Sequence, residues 1–282
     1  MTGDSRRSRR NMLRPLVLMT YKGTGFLPRI LAIAKNAFRE AVRDRILYNL
    51  IIFVLLITAS AIFLGELTAG QESHFIVNLG LSAILIFGTF ISIFVGVSLV
   101  WKEIEKRTVY SIFSKPIGRG EFITGKYLGL CLTIFVNVVI MGIGVSMALL
   151  YVGGGRLAGT IWGAVFLIFL ELTIVTAVAI MFSSFSTPAL SALLTFFVFL
   201  IGHFSSSLRD LAESLGTQAA ILFFNSIYYL LPNLSNFSFI ENTANGDTPP
   251  LALLGGAAAY AIAFDLILLT ITVVIFKRRN FK

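Results

Sequence analysis

Two features of this chain combine residue types and spacings that could do chemistry: a glycine-lysine motif in a charged stretch, and two lone acids in apolar ones. Gly120-Glu-Phe-Ile-Thr-Gly125-Lys126 fits the GxxxxGK spacing of a phosphate-binding loop. Such a loop works because a preceding strand aims backbone N–H groups at phosphate, and because the next residue is a Ser or Thr that holds magnesium. Here the next residue is Tyr127 and no strand precedes it, so nucleotide binding is not expected in this chain. If ATP drives the protein, another chain binds it. Glu171 and Asp265 are the only acids inside apolar runs, about twelve and fourteen residues from one end of their segments, and therefore at similar depth. An ionised carboxylate there is costly without a partner, and neither segment supplies a cation. Either they are protonated and hydrogen-bonded between helices, to groups such as Asn137, Thr173 or Thr270, or they line a wet pathway and serve in ion coupling. His74 and His203 lack an acidic or Cys neighbour at ligand spacing, and Cys131 is single, so no metal site, redox pair or disulfide is expected. No Ser/His/Asp, HExxH or paired-acid motif falls on an apolar run, which argues against an enzyme.

The elements that must position these residues follow from composition. With 56% hydrophobic and 13% charged residues over 282 positions and a mean hydropathy of +0.87, the chain lies outside the range of soluble domains and reads as an integral membrane protein. Its net charge of +9 is a topology signal and does not point to nucleic acid. Of the 23 Lys and Arg, 11 precede residue 46, 6 lie between Trp101 and Lys126, and 4 lie in the tail KRRNFK. Positive charge gathers on the cytoplasmic side, so all three regions are expected there.

In chain order, residues 1–28 form a basic stretch expected to be disordered and held near anionic lipid. From Arg29 to Ile46, apolar pairs (Ile33/Ala34, Ala37/Phe38, Ala41/Val42) alternate with polar ones (Lys35/Asn36, Arg39/Glu40, Arg43/Asp44), which predicts an amphipathic helix in the headgroup plane and an elbow into the first span. Six runs are long enough to span: 47–65, 75–100, 127–151, 160–182, a short 189–204, and 251–276. The charged island Trp101–Lys126 reads as a water-facing loop in which Glu103 to Phe113, closed by Pro116, forms a short amphipathic helix. Between the fifth and sixth runs, Gln218 to Leu231 is too short to span, carries an aromatic band, and reads as an external interfacial or re-entrant helix ending at Pro232. The fold class is therefore an all-α polytopic membrane protein, with one membrane domain over residues 29–282. Small residues at packing distances, Gly125/Gly129, Gly88/Gly96 and Gly255/Ala259/Ala263, support bundle packing or dimer contact.

The island WKEIEKRTVYSIFSKPIGRGEFITGKYLG resembles the cytoplasmic loop of ABC-2 type permeases, the membrane subunits of ATP-binding-cassette exporters. The family pattern is matched by Glu103/Glu105, Arg107-Thr108, Pro116 with Arg119, and Gly125-Lys126; Thr108 stands where Gly is frequent. The amphipathic segment AIAKNAFREAVRDRILYNL, the external piece YYLLPNLSNF and the basic tail extend the likeness over residues 29–282. The resemblance implies a type V exporter half, with two permease copies, most simply a homodimer, and two ATPase subunits that bind ATP and magnesium. The helix Glu103 to Ser114 would dock on the ATPase. Glu103, Glu105, Lys106, Arg107 and Arg119 would make polar contacts, Ile112 and Phe113 would be apolar anchors, and Thr108 and Pro116 would belong to the same ATPase-coupling set. It implies a bacterial or archaeal inner membrane with both termini cytoplasmic. The competing readings are an ion-coupled secondary transporter using Glu171 and Asp265, and a membrane scaffold subunit.

Overall fold

A computed structural model describes residues 25–43, 45–65, 71–105, 118–205 and 231–278, together with Gln218, Leu222, Phe224, Ser226 and Tyr228. Among these residues the structure is helical, without strands. The helices are α1 (Phe26–Val42), α2 (Arg45–Gly65), α3 (Glu72–Glu105), α4 (Arg119–Tyr151), α5 (Gly155–Ser183), α6 (Pro188–His203), α7 (Ile240–Ala244) and α8 (Leu251–Arg278), with a 3-10 turn at Leu234–Phe237. Four of them, α3, α4, α5 and α8, are long and apolar enough to cross a bilayer, while Leu50–Phe63 within α2 and Pro188–His203 are shorter apolar helices.

The centre of the bundle is α5. Every residue from Leu170 to Ile180 is buried, and the helix packs against α3, α4, α6, α7 and α8. An all-apolar circumference is stable only when other helices cover it on all sides. Glycines set two of these contacts: a side chain at Gly88 would meet Leu172, and one at Gly96 would meet Ala179, so α3 and α5 run side by side in the same direction. Gly142 against Val165, together with Ser146 donating to Ala158 O at 3.5 Å, places α4 antiparallel to α5 and so to α3. The turn Ser184–Thr187 folds α6 back along α5, with Pro188 at the first helical position, where its missing N–H costs nothing. At the same end of the bundle, Ser183 donates to Val97 O at 3.3 Å.

Two sequence expectations change here. First, the second apolar run does not stop at Val100. No Gly or Pro interrupts Trp101 to Glu105, so α3 continues through Glu105, and Glu103 and Glu105 belong to its last turn. Residues 106–117, which include Lys106, Arg107, Thr108, Ile112, Phe113 and Pro116, lie outside the described residues, as do the side chains of Glu103 and Glu105. Second, the end of the charged island is not a water-facing loop. Helix α4 begins at Arg119, eight residues before the expected span, with Gly118 N donating to Glu121 Oε2 at 3.0 Å. Lys126 is 1% exposed and Glu121 8%. The GxxxxGK motif thus lies in a helix, whose interior N–H groups are already used by carbonyls one turn back.

Helix α1 has the predicted amphipathicity, but its apolar side is divided. Ile30, Ala34, Ala37 and Ala41 are buried against α4, whereas Leu27 and Leu31 are 69% and 63% exposed. Lys35, Asn36, Arg39 and Arg43 form the exposed polar side. The expected helix over 218–231 falls mostly outside the described residues; the five described between 218 and 228 are helical.

Candidate functional site

Three polar sites stand out, one at each end of the bundle and one between them. At the end where α4 begins, Gly118 to Lys126 forms a junction of three helices. Arg119 donates through Nη1 to Phe276 O and Lys277 O of α8, at 2.9 and 2.7 Å. These are carbonyls of the last helical turn, which have no partner within the helix and carry its negative dipole end. Phe122 stacks on the buried Phe276 at 6.2 Å between ring centroids. On the other side of α4, Arg29 faces Glu121 at 3.9 Å and Lys126 Nζ donates to Glu40 Oε2 at 3.4 Å, so two ion pairs join α1 to α4. Between these pairs, Gly125 and Gly129 let the backbones meet. A Cβ at Gly129 would lie 2.5 Å from Ala34 O, and one at Gly125 would lie 2.7 Å from Ile33 Cβ. Arg119 therefore already has partners within this chain, and Lys126 is the buried half of an ion pair.

Midway along the bundle, both lone acids have partners that sequence reading did not identify. Asp265 Oδ2 accepts a hydrogen bond from Tyr127 OH at 2.6 Å. Glu171, 1% exposed, lies 3.3 Å from His203 Nδ1. Of the expected partners, Thr173 does reach Asp265, while its hydroxyl also bonds Leu170 O; Asn137 Nδ2 donates to Thr133 O and Thr270 to Leu266 O. Among the described residues, Asp265 Oδ1, Asn137 Oδ1 and Thr89 Oγ1 are buried without a hydrogen-bond partner. No acid stands at ligand spacing from either histidine in the sequence, and His203 finds Glu171 only across the helix hairpin, 32 positions away. A signal was available in the hairpin: Glu171 is about 18 Å back from the turn along α5, and His203 about 23 Å forward along α6, so the two helices return to similar depth. Tyr127 gave no such signal, because its contact depends on how α8 crosses α4.

Beyond His203, toward the opposite end, Asn233 organises the connection to α8. Its Oδ1 accepts from Ser205 and Ser235, each at 2.6 Å. Its Nδ2 donates to Tyr228 OH at 3.0 Å, and its backbone N–H donates to Tyr260 OH at 2.8 Å. Ser205, Tyr228, Gly202 and Pro232 line a small cavity beside it, with room for about one water. At the same end, His74 of α3 bonds Asn245 at 3.0 Å and Asn78 at 3.2 Å. Among the described residues, no group of three His, Cys, Asp or Glu side chains could hold a metal ion.

The family model for ABC-2 family transporter proteins matches residues 31–281, almost the whole chain. The chain belongs to the ABC-2 transporter family. No curated protein matches it. In this ABC-2 chain the match includes the junction at Gly118 to Lys126, the two acids and the Asn233 cluster alike. Membership makes it a membrane component of a transporter.

Proposed function

We propose that this chain is the permease subunit of an ATP-binding-cassette exporter, in which a separate ATPase binds ATP and magnesium and drives an unidentified substrate outward. The observation that carries the reading is the family match over residues 31–281. In this reading the basic end is cytoplasmic, as the clustering of Lys and Arg requires. The segment between α3 and α4 docks on the ATPase, with Glu103, Glu105, Lys106 and Arg107 in polar contacts and Ile112 and Phe113 as apolar anchors. Thr108 and Pro116 belong to the same contact.

The junction at Gly118 to Lys126 gives this reading a mechanical route. The docking segment leaves α3 and re-enters at α4, whose first turns hold α8 through Arg119 and α1 through Glu121 and Lys126. A push delivered there reaches α1, α3, α4 and α8 together, because packed helices move as units and do not deform continuously. Arg119 then acts as the link to α8 in addition to any contact with the ATPase. The exposed apolar side of α1, Leu27 and Leu31, fits a helix seated at the lipid surface with its cations toward water. The active unit is two permease copies and two ATPases.

The test is affinity purification of the chain from its native membrane in mild detergent. A soluble ATPase with Walker motifs should co-purify in roughly equal amount. Recovery of the chain alone, with substrate movement driven by a proton or sodium gradient, would overturn the reading.

A further inference from the structure

The Glu171–His203 pair joins a buried acid to a partly exposed imidazole. Glu171 sits in the most enclosed stretch of α5, and its one hydrogen-bond partner is His203 Nδ1 at 3.3 Å. The His203 side chain is 25% exposed, and its ring lies between Phe199 and Phe204, each about 5.6 Å away by centroid. His203 is also the last residue of α6, which at 16 residues rises only about 24 Å against a bilayer core of about 30 Å. A helix that ends inside the bilayer must have its terminal carbonyls covered by protein or water. Here polar groups lie close by: Ser205, two residues on, bonds Asn233, and Ser205 and Tyr228 supply the polar side of an otherwise apolar cavity with room for about one water.

We infer that Glu171 and His203 form a proton-binding site, loaded from the side of the Asn233 cluster. The empty site is a carboxylate hydrogen-bonded to Nδ1–H of a neutral imidazole, with net charge −1. Loading adds one proton from a hydronium ion, which leaves as water, to His203 Nε2, while the Nδ1 proton passes to Glu171 Oε1. An N–H bond forms, another breaks, an O–H bond forms, and the pair ends neutral. No other charge competes for this site among the described residues. Among the described residues, His203 is the titratable group in contact with Glu171. Facing α5, α3 presents Thr89 near this level, and its His74 is bonded to Asn245 and Asn78. Tyr127 and Cys131 of α4 lie with Asp265 of α8, and Tyr260 of α8 lies with Asn233. Glu241 of α7 is exposed.

The side of loading is defined by the Asn233 cluster and is external in the proposed orientation; the proton site itself does not rest on an ATPase partner. The test therefore uses the full permease alone, in vesicles whose sidedness is fixed by protease access to the tail. The chain has two histidines, so His74→Gln leaves His203 as the sole imidazole reporter. With nitrogen-15 histidine and carbon-13 glutamate labels, solid-state NMR reads both groups as pH is changed on one side. The expected result is that the imidazole and a buried carboxyl change in one coupled step, in response to pH on the Asn233 side only. Glu171→Gln should then move the imidazole midpoint by roughly one pH unit or more. An imidazole indifferent to Glu171→Gln, or one that follows pH on the tail side, would overturn the inference. If Glu171→Gln does not fold, His203→Gln provides the reciprocal reading, in which a buried carboxyl that still follows pH as before also overturns it.

Discussion

A hydroxyl that gives its proton to a buried carboxyl supports that carboxyl more than any nearby apolar packing can, because the alternative is two unsatisfied oxygens. Asp265 depends in this way on Tyr127 at 2.6 Å, and its Oδ1 already lacks a partner. Tyr127→Phe is expected to destabilise the folded permease by about 1–3 kcal/mol, the cost of stranding a buried acceptor. Asp265→Asn keeps an acceptor oxygen and should assemble normally; normal assembly with transport lost would move Asp265 from a structural role to a pathway role. Combining Tyr127→Phe with Asp265→Leu should recover much of the loss, because removing both partners leaves nothing unpaired. Thermal unfolding of the three variants in detergent checks this order. At Lys126 the same logic is milder, since Glu40 is 40% exposed on its side chain and water can replace the lost partner. Lys126→Met should cost about 1–2 kcal/mol, between the values for surface and fully buried pairs.

Helix packing predicts contrasts within one residue type. Gly129 has the backbone oxygen of Ala34 at 2.5 Å from where a methyl would stand, and backbone cannot yield as a side chain can. Gly129→Ala should therefore pry α1 from α4 at about 1–3 kcal/mol, whereas Gly255→Ala, with nothing within 4 Å, should change stability by less than about 0.5 kcal/mol. Proteolysis of α1 distinguishes the two. Arg119 makes a prediction about another element: Arg119→Ala leaves Phe276 O and Lys277 O without their donor, so the last turn of α8 should exchange its amide hydrogens faster while α5 is unchanged. Arg119→Lys, which keeps the charge but lacks the planar fork, should restore the protection only in part.

For the whole molecule, the reading as a permease predicts that function fails without loss of fold when the docking segment is altered. Glu103→Ala with Arg107→Ala should insert and fold as the wild type does, yet fail to stimulate the ATPase. Unchanged stimulation in the assembled complex would remove those residues from the contact. The α1–α4–α8 junction adds a graded expectation. Arg119→Ala should lower the transport achieved per ATP hydrolysed in the assembled complex, because the push would reach α8 less directly.

Fold class and family were legible in the sequence because both depend on quantities that add along the chain. Apolar run length marked α2 to α6 and α8 but not the short α7, the four-residue alternation marked α1, and the order of charges across Trp101–Lys126 carried the family likeness. The ends of α3 and α4 were misplaced because charged residues can continue a helix, and only burial decides whether they do so as a loop, a protruding turn or a docked surface. The partners were beyond local reading. Lys126 finds Glu40 86 positions away, Glu171 finds His203 32 away, and Asp265 finds Tyr127 138 away. A lone charge in an apolar segment states only that a partner must exist. Which one it finds depends on the depth at which helices stop and the directions in which they cross, and tertiary packing sets both.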